Sequence, residues 1–82
     1  MNALIISGKL TNVPTFVRLP DGVEKCQFAI STNVSRGTME LYCVAYGKQS
    51  EKLGGLAEGE TVLLLGKLTG TQFLVVTSVE RL

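Results

Sequence analysis

Histidine and tryptophan are absent from the sequence, and cysteine and proline occur twice each. Without histidine, and with cysteine only at positions 26 and 43, the ligand set of a zinc site is missing, as is the base of a Ser-His or Cys-His nucleophile. The sequence therefore assigns no catalytic residue, no metal and no cofactor, and an enzyme is not expected. An excess of one charge is also lacking: eight Lys/Arg against seven Asp/Glu leave a net charge of +1. A protein that works mainly by neutralising phosphates is usually more basic, so a nucleic-acid partner would require the basic residues to be sorted onto one face. The apolar run at 62–65 is far too short to span a bilayer, and no membrane partner is expected. Met1-Asn2-Ala3 runs into a strand pattern with no basic n-region, which argues against a secretory leader and places Cys26 and Cys43 in a reducing compartment. Both read as small reduced core residues, with a disulfide as the alternative.

What is present is an ordered composition, 45% hydrophobic and 18% charged with nine glycines, in 82 residues. That length makes one domain, 1–82, whose core is small because a chain of this size buries about 60–65% of its unfolded surface. The chain is organised around Glu40-Leu41-Tyr42-Cys43-Val44-Ala45-Tyr46-Gly47-Lys48. With period two, Leu41, Cys43 and Ala45 face one way and Glu40, Tyr42, Val44 and Tyr46 the other. The two tyrosines then lie roughly 13 Å apart on one side, at about 3.3 Å per residue.

Residues 3–11 read as a first strand with Gly8 at its middle, interrupted at Asn12-Val13-Pro14 and resumed over 15–19. Pro20-Asp21-Gly22 is a turn, and 24–33 a second strand with Cys26, Phe28 and Ile30 on one face and Gln27, Ala29, Ser31 and Asn33 on the other. Residues 34–38 read as a loop carrying Arg36. After the organising strand, 49–53 is helix-like and ends at Gly54-Gly55. A fourth strand at 61–68 carries Gly66, a tight hairpin spans 69–72, and 73–79 is a Val- and Thr-rich fifth strand. Phe16, Phe28 and Phe73 read as core or interface residues. This order predicts an all-β, five-stranded Greek-key barrel with one short helix between strands three and four, glycines 8 and 66 letting the strands coil around it. A meander sandwich is the competing arrangement, and it leaves the helix unplaced.

Four stretches resemble the bacterial single-stranded DNA-binding protein family and its short relative, primosomal replication protein N. They are the opening 2–10 segment, Pro14 through Gly22, Phe28-Ala29-Ile30-Ser31-Thr32-Asn33, and Cys43-Val44-Ala45-Tyr46-Gly47-Lys48 followed by Gly59-Glu60-Thr61-Val62 and Gly66-Lys67-Leu68. The resemblance implies an oligonucleotide-binding (OB) fold, single-stranded DNA as partner with RNA also admissible, and a homodimer or homotetramer. It further implies a role in replication, recombination or repair beside other replication or transcription proteins, and a nucleoid location in bacterial cytoplasm or an organelle. The sequence departs from the family in having Glu40 at an aromatic position, Arg36 where a tryptophan can lie, and a shortened 69–72 hairpin, and no acidic tail is among these residues.

Single-strand binders combine aromatic platforms with a basic groove. Tyr46 and Tyr42 are the expected platforms, Arg36 and Lys48 the expected phosphate contacts from the rim, and Asn33 belongs with Gln27 and Ser31 to a polar floor. Because stacking and charge read no base edges, little sequence preference is expected. A protein-interaction barrel that keeps the fold and has lost most nucleic-acid affinity is the alternative, favoured by the near-neutral charge.

Overall fold

The computed structural model describes residues 3–70 and 72–82. Asn2 of the opening 2–10 stretch and the hairpin position Thr71 lie outside the described residues. Six strands and one helical turn follow in the order β1 (Ala3–Leu10), β2 (Thr15–Arg18), β3 (Glu24–Val34), β4 (Gly37–Tyr46), α1 (Lys48–Glu51), β5 (Thr61–Thr69) and β6 (Phe73–Arg81). The sheet runs β1-β5-β6-β4-β3-β2, and an added β1–β3 pairing closes β1, β5, β6, β4 and β3 into a five-stranded barrel. The helix lies between the organising strand and the strand after it, as the element order predicts. This is the OB fold, and the sandwich alternative is excluded by closure.

β2 is the continuation of β1 rather than an independent wall. β1 meets β3 at Leu10↔Ile30 and β2 meets it again at Thr15↔Gln27, so the first strand is one strand with extra residues looped out between these pairs. Pro14 has no N–H to give a ladder. Asn12 fills part of the gap, its side-chain Oδ1 accepting from the Ala29 N–H at 3.2 Å. The Thr11 N–H, in turn, donates to the Ala29 carbonyl at 2.9 Å.

The predicted loop at 34–38 is instead a two-residue turn at Ser35-Arg36, with Val34 paired to Gly37 and Asn33 to Thr38. Val34 and Thr38 are β-branched and extend the ladder, and Gly37 takes the positive φ of 129° that a side chain would resist. The helix is shorter than the 49–53 pattern suggested, one turn entered through Gly47 at φ 58°.

The interior follows the expected parity. Leu10, Cys26, Phe28, Ile30, Leu41, Cys43, Ala45, Val62, Leu64, Leu74, Val76 and Val79 are buried together, with Leu53 and Leu56 from the helical connection closing one end. Burying each large aliphatic side chain contributes roughly 1.5–3 kcal/mol. The Val79 N–H donates to the Gln49 side-chain oxygen at 3.1 Å, so the helix also occupies a donor on β6 beyond its β4 pairing. Inward parity in β6 shifts from Leu74 and Val76 to Val79 across a bulge between Leu65↔Ser78 and Gly66↔Val76, which loops out Thr77. Cys26 and Cys43 are free and buried, opposite Ala45 and Phe28 respectively. Burial, helped by the Glu24 charge, pushes the Cys26 thiol up to about 11, and burial pushes Cys43 up to about 12. Both stay as unreactive thiols at neutral pH.

Phe28 is a core residue as expected, whereas Phe16 and Phe73 are exposed at the surface. Phe16 lies on the edge strand β2, and Phe73 at the start of β6 where it first meets β4.

Glycines 8 and 66 are where the barrel turns. A Cβ on Gly8 would lie 2.7 Å from the Ser31 carbonyl oxygen, and one on Gly66 would strike the Val75 carbonyl oxygen and crowd the Leu74 side chain. Gly66→Ala must therefore move backbone rather than a flexible side chain, at a cost of about 1–3 kcal/mol. The expected result is a melting temperature lower by roughly 5–20 °C, read by circular dichroism; an unchanged melting temperature would show that the corner tolerates a side chain.

Candidate nucleic-acid interface

The outer face of β3 and β4 carries the candidate site. β4 pairs antiparallel with β3 on one side and parallel with β6 on the other, through Tyr42↔Phe73, Cys43↔Leu74 and Val44↔Val75. Tyr42 therefore stands between Ala29 of β3 and Phe73 of β6. Tyr42 is 50% exposed and Phe73 42%, two aromatic side chains on adjacent strands with open faces. Neighbouring strands are about 4.8 Å apart, so the rings form one continuous platform. Ala29 beside them is buried, and its small side chain leaves room above β3.

A groove of about 780 Å³ opens over this platform. Thr11, Asn12 and Thr15 from the looped-out part of the first strand form one wall, Gln27 and Ala29 the floor, and Glu40, Tyr42 and Phe73 the other side. The walls are tied to each other. The Thr11 hydroxyl lies 3.1 Å from Glu40 Oε2 and 3.3 Å from the Ala29 carbonyl. It has one proton to give, and the shorter, charge-assisted bond to the carboxylate takes it. Gln72 Nε2 donates to the Glu40 carbonyl at 3.1 Å, and the Tyr42 N–H to the Gln72 carbonyl at 2.9 Å, fixing the approach to β6.

The sequence-predicted residues are distributed along β4 rather than gathered. Tyr42 lines the groove. Tyr46, 43% exposed, lies four residues on along the same face, opposite Lys25. Val44 between the tyrosines is only 2% exposed, so it underlies the face and offers no stacking surface. Lys48 lies beyond the end of β4, where it lines a depression with Arg18, Glu24 and Glu51. Arg36 is at the opposite end, in the β3–β4 turn. Gly37 and Tyr46 are nine steps apart, about 30 Å along the strand at about 3.3 Å per residue. Asn33 is exposed and lines a second, smaller hollow of about 320 Å³ with Ser7, Lys9, Ser31 and Thr61. Among the described residues no lysine or arginine lines the main groove; its one charge is the Glu40 carboxylate.

Phe73, Thr11, Asn12 and Thr15 were not assigned to the site from the sequence. The parallel β4–β6 contact that brings Phe73 beside Tyr42 joins residues far apart in the chain and has no local signature. The break at Asn12-Val13-Pro14 did mark a loop, and that loop is the groove wall.

No family model matches the chain, and no curated protein does. Its neighbours among solved structures are informative. A deletion mutant of the single-stranded DNA binding protein from Thermus aquaticus superposes with a TM-score of 0.91 at 25% identity, covering 100% of this chain and 41% of that one. The wild-type Thermus aquaticus protein gives 0.89 at 25% identity, covering 100% and 40%. The SSB domain of a Synechococcus sp. protein gives 0.87 at 20% identity, covering 99% and 96%, a likeness of fold alone. The chain is thus an OB-fold barrel. Its structural neighbours are bacterial single-stranded DNA-binding proteins, the group its sequence resembles, and it spans about two fifths of the length of the Thermus aquaticus chains.

The carboxylate of Glu40 acts on Tyr42 as a hydrogen-bond acceptor and as a nearby negative charge, and both raise the phenol above its ordinary value. In a Tyr46→Phe background, the remaining tyrosine is expected to ionise above the free-tyrosine value of about 10 when followed by ultraviolet absorbance. Adding Glu40→Gln should bring the midpoint back down. A midpoint indifferent to residue 40 would place the carboxylate away from the phenol.

Proposed function

We propose that the protein binds single-stranded nucleic acid, DNA in the first instance, by laying bases on the Tyr42–Phe73 platform. The observation that carries this reading is the pair of half-exposed aromatic residues on adjacent strands along one side of an open groove. A soluble domain gains nothing by leaving such rings uncovered, and every base offers a π-face to stack on. The name of the Thermus aquaticus neighbours supports the same reading. Tyr46 extends the platform along β4. Arg36 and Lys48, at opposite ends of that strand, meet phosphates where the nucleic acid enters and leaves, and Asn33 lies toward the Arg36 end. A role in replication, recombination or repair accords with this activity.

Stacking on one aromatic is worth about 1–3 kcal/mol, so Tyr42→Ala and Phe73→Ala should each weaken oligonucleotide binding by about five-fold to a hundred-fold, measured by fluorescence anisotropy at low salt. With about two to three phosphate contacts, log K should fall against log salt with a slope of only about −1.5 to −2. Binding that survives both substitutions at full strength would put the site elsewhere, and no binding at low salt would favour the protein-interaction barrel.

Self-association is part of the proposal. Ile5, 70% exposed, stands opposite Leu65 on the outer face of β1 and β5, with Leu63 close by. On its side away from β5, β1 pairs with β3 only at Lys9 and Leu10, so most of that edge is open to a strand from a second copy. Light scattering at micromolar concentration should report a dimer or tetramer that Ile5→Lys shifts toward monomer; an 8.8 kDa species for the parent would contradict it.

A further inference from the structure

A carboxylate in a groove meant for a polyanion is at first sight misplaced. Glu40 lines the groove next to the platform, and nothing basic lines it among the described residues. If the groove held phosphates, this charge would oppose binding. It is nevertheless held in place. Thr11 Oγ1 donates to its Oε2 at 3.1 Å, and Tyr42, two residues on along the same face, lies within its influence. Its own backbone carbonyl is anchored by Gln72. The side chain is thus oriented from both sides of the groove, with acceptor capacity left over, since an ionised carboxylate offers about four lone-pair sites.

The chemistry of the bases gives this arrangement a use. The aromatic platform fixes the plane of a stacked base, which brings the edge of that base toward the groove wall. An ionised carboxylate accepts hydrogen bonds and cannot donate them. Cytosine turns an exocyclic amino group outward as a donor, and acidic side chains pair with it. Thymine presents carbonyl oxygens on either side of its single N–H, and these would face the carboxylate as like-signed groups.

We propose that Glu40 is a specificity-determining residue: it makes the Tyr42–Phe73 groove favour bases that carry an exocyclic amino group, cytosine among them, over thymine. This rests on the groove being the binding site, and it replaces the expectation of slight sequence preference with a definite one. The phosphates stay outside the groove, toward the ends of β4 where Arg36 and Lys48 lie.

The test compares oligo-dC and oligo-dT of equal length by anisotropy, for the parent, Glu40→Gln and Tyr42→Ala. One well-placed acceptor lies at the low end of what a specific base contact contributes, so the parent should prefer oligo-dC by about five-fold to ten-fold. Glutamine keeps the shape and can still accept from Thr11, but it loses the charge and gains a donor. Glu40→Gln should therefore bring the two affinities within about two-fold, chiefly by improving oligo-dT. A purely electrostatic effect would strengthen both oligonucleotides equally and leave their ratio unchanged, which would overturn the proposal. Equal parental affinities would overturn it as well. In either case, Tyr42→Ala weakening both oligonucleotides would leave the groove as the site, whereas no effect of Tyr42→Ala would remove the site and the specificity together.

Discussion

The structure depends on a short stretch of parallel pairing between β4 and β6. Three residue pairs, Tyr42↔Phe73 through Val44↔Val75, join strands that the chain visits far apart. Without that contact the β1–β5–β6 and β2–β3–β4 ribbons would be joined only through the short β1–β3 pairing, and the barrel would be open. With it they form one wall, the interior closes around Leu41, Cys43 and Leu74, and Phe73 is delivered to the side of Tyr42. The same contact therefore makes both the barrel and the platform. The two mid-strand glycines serve it from the opposite side, since at Gly8 and Gly66 a side chain would collide with the backbone of the neighbouring strand.

Aromatic surface and charge are separated on this molecule. The groove holds rings, hydroxyls, amides and one carboxylate, while Arg36 and Lys48 sit at opposite ends of β4. A net charge of +1 does not support strong general attraction to a polyanion. Such a surface is better suited to holding bases than to holding backbone, and its affinity should rest more on stacking than on released counterions. The apolar Ile5–Leu65 face belongs to the β1–β5 part of the wall, away from the β3–β4 face, so the proposed association and the proposed nucleic-acid binding use different surfaces.

Much of the fold was legible because its signals are local. Alternation in 40–46 gave the inward and outward faces of β4, the turn residues set the strand limits, and Gly8 and Gly66 marked the corners. Proline 14 broke the first strand, as its missing N–H requires. The misreadings came from non-local causes. The loop read at 34–38 was too long because Gly37 signals a turn, whereas the β-branched Val34 and Thr38 carry the ladder almost to the tip and leave only Ser35 and Arg36 in the turn. Phe73 read as core or interface because strand parity and hydrophobicity agree there, and the structure, which leaves it exposed beside Tyr42, rules out the core half of that reading. Val44 was placed on the outer face by its parity, correctly, but its burial depends on neighbours in two other strands. Tyr42 could be singled out from the sequence, while its partner in the platform could not.

The most direct measurement is a backbone amide chemical-shift map of the labelled protein during titration with a short single-stranded oligonucleotide. If the β4–β6 junction makes the binding platform, the largest shifts will fall on Asn12, Gln27, Ala29, Tyr42 and Phe73, with smaller ones running along β4 toward Arg36 and Lys48. Shifts confined to the Ile5, Leu63 and Leu65 face, or none at low salt, would contradict it.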